Sequence, residues 1–257
     1  MCLATVVGML GGLSESTKTK IMETKIFYTK DQLSRYFGDF LAELTGKQEV
    51  VYIALSGGST PENIFDVLSQ EYKDSIRWDR LRFFWGDERC VPPDHAESNY
   101  RMTREHLFNH VPVSEEQIFR IKGELTPEEA LKDYRRVLEE TLPQKNGFPQ
   151  FDVMVLGMGD DGHTASIFPH EISLWDSPNW CEIGTHPKTG QKRITLTGKV
   201  INNSRQIIFL VTGKNKAPKV DEILHQKGNY LDYPAARVDP RKSLWLLDQQ
   251  AAQRSDD

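Results

Sequence analysis

Short runs of mostly apolar residues alternate with amphipathic segments along most of the chain. The runs are four to six residues long and are rich in β-branched and aromatic side chains, a pattern typical of strands that are buried on both faces of a sheet. They predict strands at residues 25–28, 50–55, 81–85, 151–156, 207–211 and 243–247.

The segments between these runs carry helix signals. After Asp31, apolar residues recur at spacings of three and one, as they do on the buried face of a helix. Polar residues that accept a hydrogen bond from the first turn indicate where helices begin. The predicted caps are Asp31, Thr60 before Pro61, and Thr126 before Pro127 with Glu129 completing a capping box. A further helix is predicted from about Lys214 to Leu224.

Strands and helices that alternate in this way predict a single three-layer α/β/α domain with a mainly parallel, Rossmann-like sheet. The domain is expected to span residues 23–250. Residues 1–22 are first apolar and then polar, without the basic start or the clear cleavage site of a signal peptide, and they predict a loosely ordered leader. Residues 251–257 predict a polar tail.

Composition excludes several classes of function. The chain has 257 residues, of which 38% are hydrophobic, and a net charge of −5, which argues against a broad nucleic-acid interface. No apolar run is long enough for a membrane helix. Cys2, Cys90 and Cys181 form no C-x-x-C motif, which argues against a disulfide framework or a zinc knuckle. We therefore expect a cytoplasmic monomer or small homo-oligomer that binds a small molecule, not nucleic acid or a membrane.

Polar loops follow four of the predicted strands, after Leu55, Trp85, Leu156 and Val211. In parallel α/β sheets, ligands bind outside the carboxyl ends of the strands. All four loops therefore fall where a binding site is expected.

The first of these loops predicts a phosphate site and consists of Ser56, Gly57, Gly58, Ser59 and Thr60. Its glycines let the backbone N–H groups approach an anion, and the positive end of the following helix favours negative charge there. A tight strand-to-helix turn that requires glycine is the alternative. The G-x-x-x-x-G-K motif of P-loop proteins is absent.

The third loop contains a candidate general base. Residues 157–162 match G-x-G-x-x-G, but the adjacent carboxylates of Asp160 and Asp161 would face a pyrophosphate, so a dinucleotide site is disfavoured. His163 follows, and Asp161 can orient it and raise its basicity. Two alternatives are a histidine that only supports the turn and a metal site formed by Asp160, Asp161 and His163.

Basic residues follow the other two strands. Arg89 can bind a phosphate or a carboxylate in a bidentate manner, or it can pair with Asp87 and only shape the loop. Lys214 and Lys216 lie where a helix is predicted to begin, a position that disfavours cations and so indicates an anionic ligand nearby. The alternative is that both lysines are exposed to solvent, where the unfavourable position costs little.

Five strings of sequence together carry a resemblance to a known family. They are Leu55-Ser56-Gly57-Gly58-Ser59-Thr60-Pro61; Gly86-Asp87-Glu88-Arg89-Cys90-Val91-Pro92 with Ser98-Asn99; Gly157-Met158-Gly159-Asp160-Asp161-Gly162-His163-Thr164-Ala165-Ser166-Ile167-Phe168-Pro169; Arg193-Ile194-Thr195-Leu196-Thr197; and Thr212-Gly213-Lys214-Asn215-Lys216-Ala217. From about Thr24 to Asp248 the chain resembles the lactonase branch of the glucosamine-6-phosphate isomerase/6-phosphogluconolactonase family.

The resemblance implies the fold of glucosamine-6-phosphate deaminase, ribose-5-phosphate isomerase and CoA transferases. It implies hydrolysis of 6-phospho-D-glucono-1,5-lactone, a step of the oxidative pentose phosphate pathway, without a metal or cofactor. The site residues that it implies are His163 as the base on water, Asp161 as its support, Arg89 for the oxyanion, and Asp87, Arg193, Lys216 and residues 56–60 for binding the substrate and its phosphate.

The nearest rival is the deaminase branch of the same family. In that branch the D-G-H turn is followed shortly by Asn-Glu, and the glutamate supports the histidine. Here no carboxylate follows His163 until Glu171, which favours the lactonases. One departure is His170, because the lactonases usually carry glycine after Phe-Pro. A sugar-phosphate sensor without catalytic activity is the hypothesis from another class.

Overall fold

The computed structural model describes residues 22–253. The predicted leader, apart from Met22, and residues 254–257 of the predicted tail lie outside this range. Ala251, the first residue of that tail, is buried, and its backbone N–H donates to the carboxylate of Asp248. Within residues 22–253, no helix is both long and apolar enough to cross a bilayer.

A six-stranded, wholly parallel sheet forms the centre of the molecule. The strands are β1 (Glu23–Phe27), β2 (Val51–Leu55), β3 (Leu81–Trp85), β7 (Val153–Leu156), β10 (Gln206–Val211) and β11 (Ser243–Asp248). Their order across the sheet is β1-β11-β10-β7-β2-β3. All six predicted strands are confirmed, with ends that move by at most two residues.

Both faces of this sheet are covered. Successive side chains of a strand point to opposite faces, and in β7 and β11 every residue is buried. One apolar cluster runs through the molecule, with the stacked rings of Phe209 and Trp245 in the middle of the sheet. The helices are α1 (Lys30–Lys47), α2 (Ser59–Glu71), α3 (Asn99–Thr103), α4 (Pro127–Thr141), α5 (Gly198–Asn203) and α6 (Ala217–Leu224). The predicted three-layer α/β fold is confirmed.

A second, antiparallel sheet was not predicted from the apolar pattern. It has the order β4-β9-β8 and is built from β4 (Asp87–Arg89), β8 (Cys181–Thr185) and β9 (Lys192–Leu196). It continues from the end of β3, since only Gly86 separates β3 from β4. A small hairpin joins β5 (Gln144–Lys145) to β6 (Phe148–Pro149). Short 3₁₀ turns cover Trp78–Arg80, Glu115–Gln117, Pro169–Trp175, Lys214–Lys216, Tyr230–Asp232 and Pro234–Arg237, and Arg104–Phe108 forms a π turn.

Two of the predicted helix caps are wrong. The N-cap of α1 is Thr29, whose hydroxyl accepts from the N–H of Gln32, and Asp31 lies inside the first turn, where its charge still favours the helix dipole. Helix α2 begins earlier than predicted because Gly58 adopts a φ of 104° and serves as its N-cap. The hydroxyl of Thr60 is therefore not a cap.

The other two helix predictions hold. Thr126 and Glu129 form both hydrogen bonds of the capping box at the start of α4, with Pro127 in the first turn. The predicted helix at 214–224 begins as a 3₁₀ turn over Lys214–Lys216 and becomes α-helical at Ala217.

No strand pairs with the outer edge of β3 in the described structure; side chains and a loop backbone satisfy its polar groups instead. The backbone N–H of Phe119 donates to the carbonyl of Phe83 (2.8 Å), and the side-chain amide of Gln117 donates to that of Leu81 (2.9 Å). The hydroxyl of Tyr134, on α4, accepts from the N–H of Trp85 (3.1 Å) and donates to its carbonyl (2.7 Å). An edge strand whose polar groups are satisfied in this way offers no template for another chain.

We expect Tyr134→Phe to lower the free energy of unfolding by about 1–3 kcal/mol, because it leaves two buried backbone groups of Trp85 without partners. Urea unfolding measures this loss. Tyr52→Phe is the matched control, since the half-buried Tyr52 donates its backbone N–H to the carboxylate of Asp152, and the substitution does not change that hydrogen bond. Equal and small losses in the two variants would show that the Tyr134 hydroxyl contributes little.

Candidate active site

The loops that follow β2, β3, β7 and β10 meet at the carboxyl edge of the parallel sheet and enclose a cleft of about 240 Å³. Ten of the eleven site residues predicted from the sequence line this cleft: Ser56, Gly57, Gly58, Ser59, Thr60, Asp87, Arg89, His163, Arg193 and Lys216. The eleventh, Asp161, lies behind His163 and is hydrogen bonded to it. The structure therefore brings the whole predicted set together.

The glycine loop after β2 is shaped by close packing and by one unusual backbone conformation. A Cβ atom at Gly57 would lie 1.8 Å from the side-chain oxygen of Asn99, so only glycine fits there. Gly58 has a φ of 104°, which other residues rarely adopt. The loop leads directly into α2, whose first N–H groups and dipole favour an anion. The hydroxyls of Thr60 and Thr212 lie 2.8 Å apart and join this loop to the one after β10.

His163 lies in a tight turn that holds its ring against Asp161. Oδ1 of Asp161 is 2.6 Å from Nδ1 of the imidazole and also accepts the backbone N–H of His163. A Cβ atom at Gly159 would lie 2.0 Å from Nδ1, so the ring occupies the space that a side chain would need. Gly162, with a φ of 81°, completes the turn.

The ionised carboxylate of Asp161 determines the tautomer of the neutral His163 imidazole. Partial burial opposes ionisation of Asp161, but the hydrogen bond and charge of His163 outweigh it and hold the pKa of the carboxyl at about 2. An ionised carboxylate only accepts, so Nδ1 of the neutral imidazole must carry the proton. The lone pair then lies on Nε2, the nitrogen that is free of Asp161, and the ring lines the cleft.

The chain does not enter a helix after this turn, which is inconsistent with a dinucleotide-binding strand–turn–helix. Instead residues 164–167 form a second tight turn, in which Ala165 adopts a φ of 49°. The hydroxyl of Thr164 donates to the carbonyl of Gly157 (2.8 Å), and the N–H of Ser166 donates to the hydroxyl of Thr195 (3.1 Å). These bonds hold a backbone conformation that alanine would not favour alone.

Arg193 and Asp87 lie in a buried polar network beneath the cleft. Asp87 accepts a hydrogen bond from the hydroxyl of Ser166 (2.6 Å), and Nη1 of Arg193 lies 3.5 Å from that same hydroxyl. Burial lowers the pKa of the Arg193 guanidinium, and the charge of Asp87 opposes that effect. The guanidinium also lies 5.6 Å from the ring centre of Phe168, which packs against His163. The network thus connects the second sheet to the turn that carries His163.

Arg89 has an unused donor. Its Nη1 donates to the carbonyl of Glu97 (2.6 Å), whereas its Nε is buried without a hydrogen-bond partner among the described residues. No ion pair joins Arg89 to Asp87 within residues 22–253, so the loop-shaping pair considered from the sequence does not form. Arg89 also lines the cleft, where a guanidinium suits a negatively charged oxygen of a ligand.

Glu88 is a structural residue that the sequence did not reveal. It is almost fully buried and accepts hydrogen bonds from the backbone N–H groups of Arg89, Asn99 and Tyr100 and from the hydroxyl of Ser98. Burial raises its pKa, and these backbone bonds oppose the shift. Glu88 thereby holds the start of α3, and with it Asn99, against the glycine loop.

The ammonium group of Lys216 pairs with the carboxylate of Asp160, whose pKa is lowered chiefly by this hydrogen bond. Asn215 donates to the same carboxylate oxygen (2.7 Å). Asp160 therefore faces Lys216 while Asp161 faces His163, and the three residues considered as metal ligands do not converge. No group of three histidine, cysteine or acidic side chains within residues 22–253 is arranged to hold a metal ion.

Comparison with known proteins identifies the family. A family model described as glucosamine-6-phosphate isomerases/6-phosphogluconolactonase matches residues 29–247. The chain belongs to this family. The 6-phosphogluconolactonase of Treponema pallidum is 45% identical over 199 residues, which cover 77% of this chain and 83% of that protein. That of Haemophilus influenzae is 43% identical over 204 residues, covering 78% and 86%.

Solved structures agree with this family assignment. The structure of 6-phosphogluconolactonase from Trypanosoma brucei aligns with a TM-score of 0.78 at 31% identity, over 90% of this chain and 97% of that chain. A monomeric glucosamine-6-phosphate deaminase shares the fold alone, with a TM-score of 0.74 at 19% identity. The resemblance carried by the five strings is confirmed, and so is the prediction of an enzyme of this family.

Some residues of the cleft were not predicted from the sequence. Thr212 and Asn99 line the cleft, and both stood in the motif strings, but their types alone gave no reason to select them. The buried carboxylate of Asp248 accepts the N–H of Gly213 and fixes the loop before Lys216. It is the last residue of β11, distant in sequence, so only the strand order reveals it.

We expect the stability difference between the wild type and Asp161→Asn to depend on pH. The folded pKa of Asp161, about 2, lies below its ordinary value of 3.8, so the contribution of the carboxylate is complete above about pH 4 and is lost as the pH falls toward 2. The wild type is therefore the more stable protein at neutral pH, and the difference narrows in acid. Urea unfolding at several pH values measures it, and a constant difference would contradict the assignment.

Proposed function

We propose that this protein hydrolyses 6-phospho-D-glucono-1,5-lactone to 6-phospho-D-gluconate, as the names of its curated relatives suggest. The observation that carries the proposal is the Asp161–His163 pair, whose imidazole lines a cleft that Arg89, Arg193 and Lys216 also line. A lactone is an activated ester, so a base for water and donors for the anionic groups are sufficient. A cytoplasmic location and independence from a cofactor stay predictions.

In the proposed mechanism, Nε2 of His163 removes a proton from a water molecule as its oxygen attacks C1 of the lactone. Asp161 stabilises the imidazolium that forms, because its carboxylate keeps the proton on Nδ1. The oxygen at C1 becomes negative, and the guanidinium of Arg89, which lines the cleft, would stabilise it. Collapse of the intermediate breaks the bond between C1 and the ring oxygen, which takes the proton back from His163.

The phosphate of the substrate would bind at the other end of the cleft. Helix α2 begins at Ser59 without a side-chain cap, so its first backbone N–H groups can bind an anion, and Lys216 lines the same cleft. Arg193 is buried with Asp87 and Ser166, so its replacement would also disturb buried charges. Lys216 therefore gives the cleaner test of phosphate binding. Contacts this far from C1 orient the lactone for attack.

A deaminase is the second candidate within the family, and one contact argues against it. The ring-opening histidine of that branch is supported by a glutamate shortly after the turn. In this chain the nearest following carboxylate, Glu171, accepts the backbone N–H of Thr185 (2.8 Å), and Nδ1 of His163 is already bonded to Asp161. No second carboxylate of the described chain reaches His163.

One assay distinguishes these candidates. Purified protein is given 6-phosphogluconolactone, and its hydrolysis is followed above the spontaneous rate. In parallel, ammonia release from glucosamine 6-phosphate is measured. Lactone hydrolysis alone supports the proposal, ammonia release supports the deaminase, and binding of 6-phosphogluconate without either activity supports a sensor.

We expect His163→Ala to lower kcat by about 10²–10⁴-fold, the contribution typical of a general base. Binding of 6-phosphogluconate, measured by calorimetry, should persist because the phosphate loop does not depend on the imidazole. Asp161→Asn should lower kcat less, since it disturbs the orientation of His163 without removing it. A folded, product-binding His163→Ala protein with near-normal kcat would disprove the proposed mechanism.

We expect Lys216→Ala to raise KM by about tenfold and to change kcat little, because a charge-assisted contact to a remote phosphate is similar in the ground and transition states. Lys214→Ala is the matched control, as Lys214 is exposed, two residues away and not part of the cleft wall. Steady-state kinetics measures both. An unchanged KM in Lys216→Ala would place the phosphate elsewhere.

A further inference from the structure

The proposed phosphate-binding lysine already has an anionic partner. Asp160 binds the ammonium group of Lys216, and its side chain is 63% exposed while that of Lys216 is 21% exposed. Asn215 donates to the same oxygen of Asp160, so lysine and asparagine hold one carboxylate between them. No step of the proposed mechanism uses Asp160.

This ion pair stands beside the glycine loop and joins two other loops of the cleft. Thr212 contacts Thr60 at one end of the 212–217 loop, and Asp248 fixes the N–H of Gly213. Lys216 follows three residues later and lines the same cleft as Ser59 and Thr60. Asp160, which belongs to the turn of His163, therefore holds a lysine of the cleft that also contains the phosphate loop.

We propose that Asp160 is a specificity-determining residue that competes with the phosphate of the substrate for Lys216 and thereby weakens binding of phosphorylated ligands. This inference rests on the proposed function, because it takes Lys216 as a phosphate contact. Asp160 acts through Lys216 and not on the reacting carbonyl, so its effect falls on KM and not on kcat.

The direction of the effect follows from charge. An ammonium group has three donors, so the incoming phosphate either displaces the carboxylate or shares the lysine with it. In the first case an ion pair must be broken, and in the second two anions must lie close together. In both cases the affinity for the phosphate is lower than it would be without Asp160. Exposed ion pairs are weak, so the penalty corresponds to a factor of about two to five in affinity.

The test compares Asp160→Asn with the wild type, using inorganic phosphate as the probe in calorimetry and the lactone in kinetics. We expect the variant to bind phosphate about two to five times more tightly and to show a KM lower by the same factor, with kcat unchanged. Asp79→Asn is the matched control: Asp79 is 65% exposed, pairs with Arg77 and lies before β3, at the opposite edge of the sheet. It should leave both quantities unchanged.

A double-mutant cycle assigns the effect to Lys216. In a Lys216→Ala background, Asp160→Asn should no longer change phosphate affinity, because the contested cation is gone. Weaker or unchanged phosphate binding in Asp160→Asn overturns the inference, and so does a gain that persists without Lys216. If phosphate binds more tightly while the wild type hydrolyses no lactone, the competition stands and the proposed function fails.

Discussion

The contact between Asp161 and His163 is the interaction on which the candidate site depends. It forms only if residue 159 has no side chain. The imidazole lies where a Cβ of residue 159 would be, and no other residue than glycine leaves that space. Gly162 then turns the chain back with a positive φ, and Tyr233 packs so closely that a Cβ there would lie 2.7 Å away. Gly159 and Gly162 therefore allow the turn that holds the histidine.

An acidic protein must concentrate its basic groups to bind a phosphorylated ligand. In this chain, buried carboxylates help to hold the basic groups in one cleft. The net charge is −5, yet Arg89, Arg193 and Lys216 line one cleft. Asp87 compensates the buried Arg193, while Glu88 is held by backbone N–H groups and anchors α3. Buried charges of this kind are tolerated only when each has its partners, so the loops that carry them are held in defined positions.

The sequence predicted the parallel sheet and the grouping of the site, because apolar runs and polar strand ends are local signals. It did not predict the antiparallel sheet, since β4 and β9 carry charged and polar residues that serve the cleft. The cap of α2 was misplaced at Thr60 because the actual N-cap, Gly58, has no side chain to signal it. Asp248 was missed because its partner, Gly213, lies 35 residues away, and Glu88 because nothing in its residue type indicates that it is buried.

The polar groups of the cleft fall into two classes by burial. Asp87 and Arg193 are buried, and Asp87 accepts a 2.6 Å hydrogen bond from the hydroxyl of Ser166, so these groups are held in place. The Asp160–Lys216 pair is more exposed. A phosphate must enter and leave in every turnover, and an exposed, weak ion pair exchanges partners at little cost. The difference in burial thus separates the groups that must stay in place from the group that must exchange.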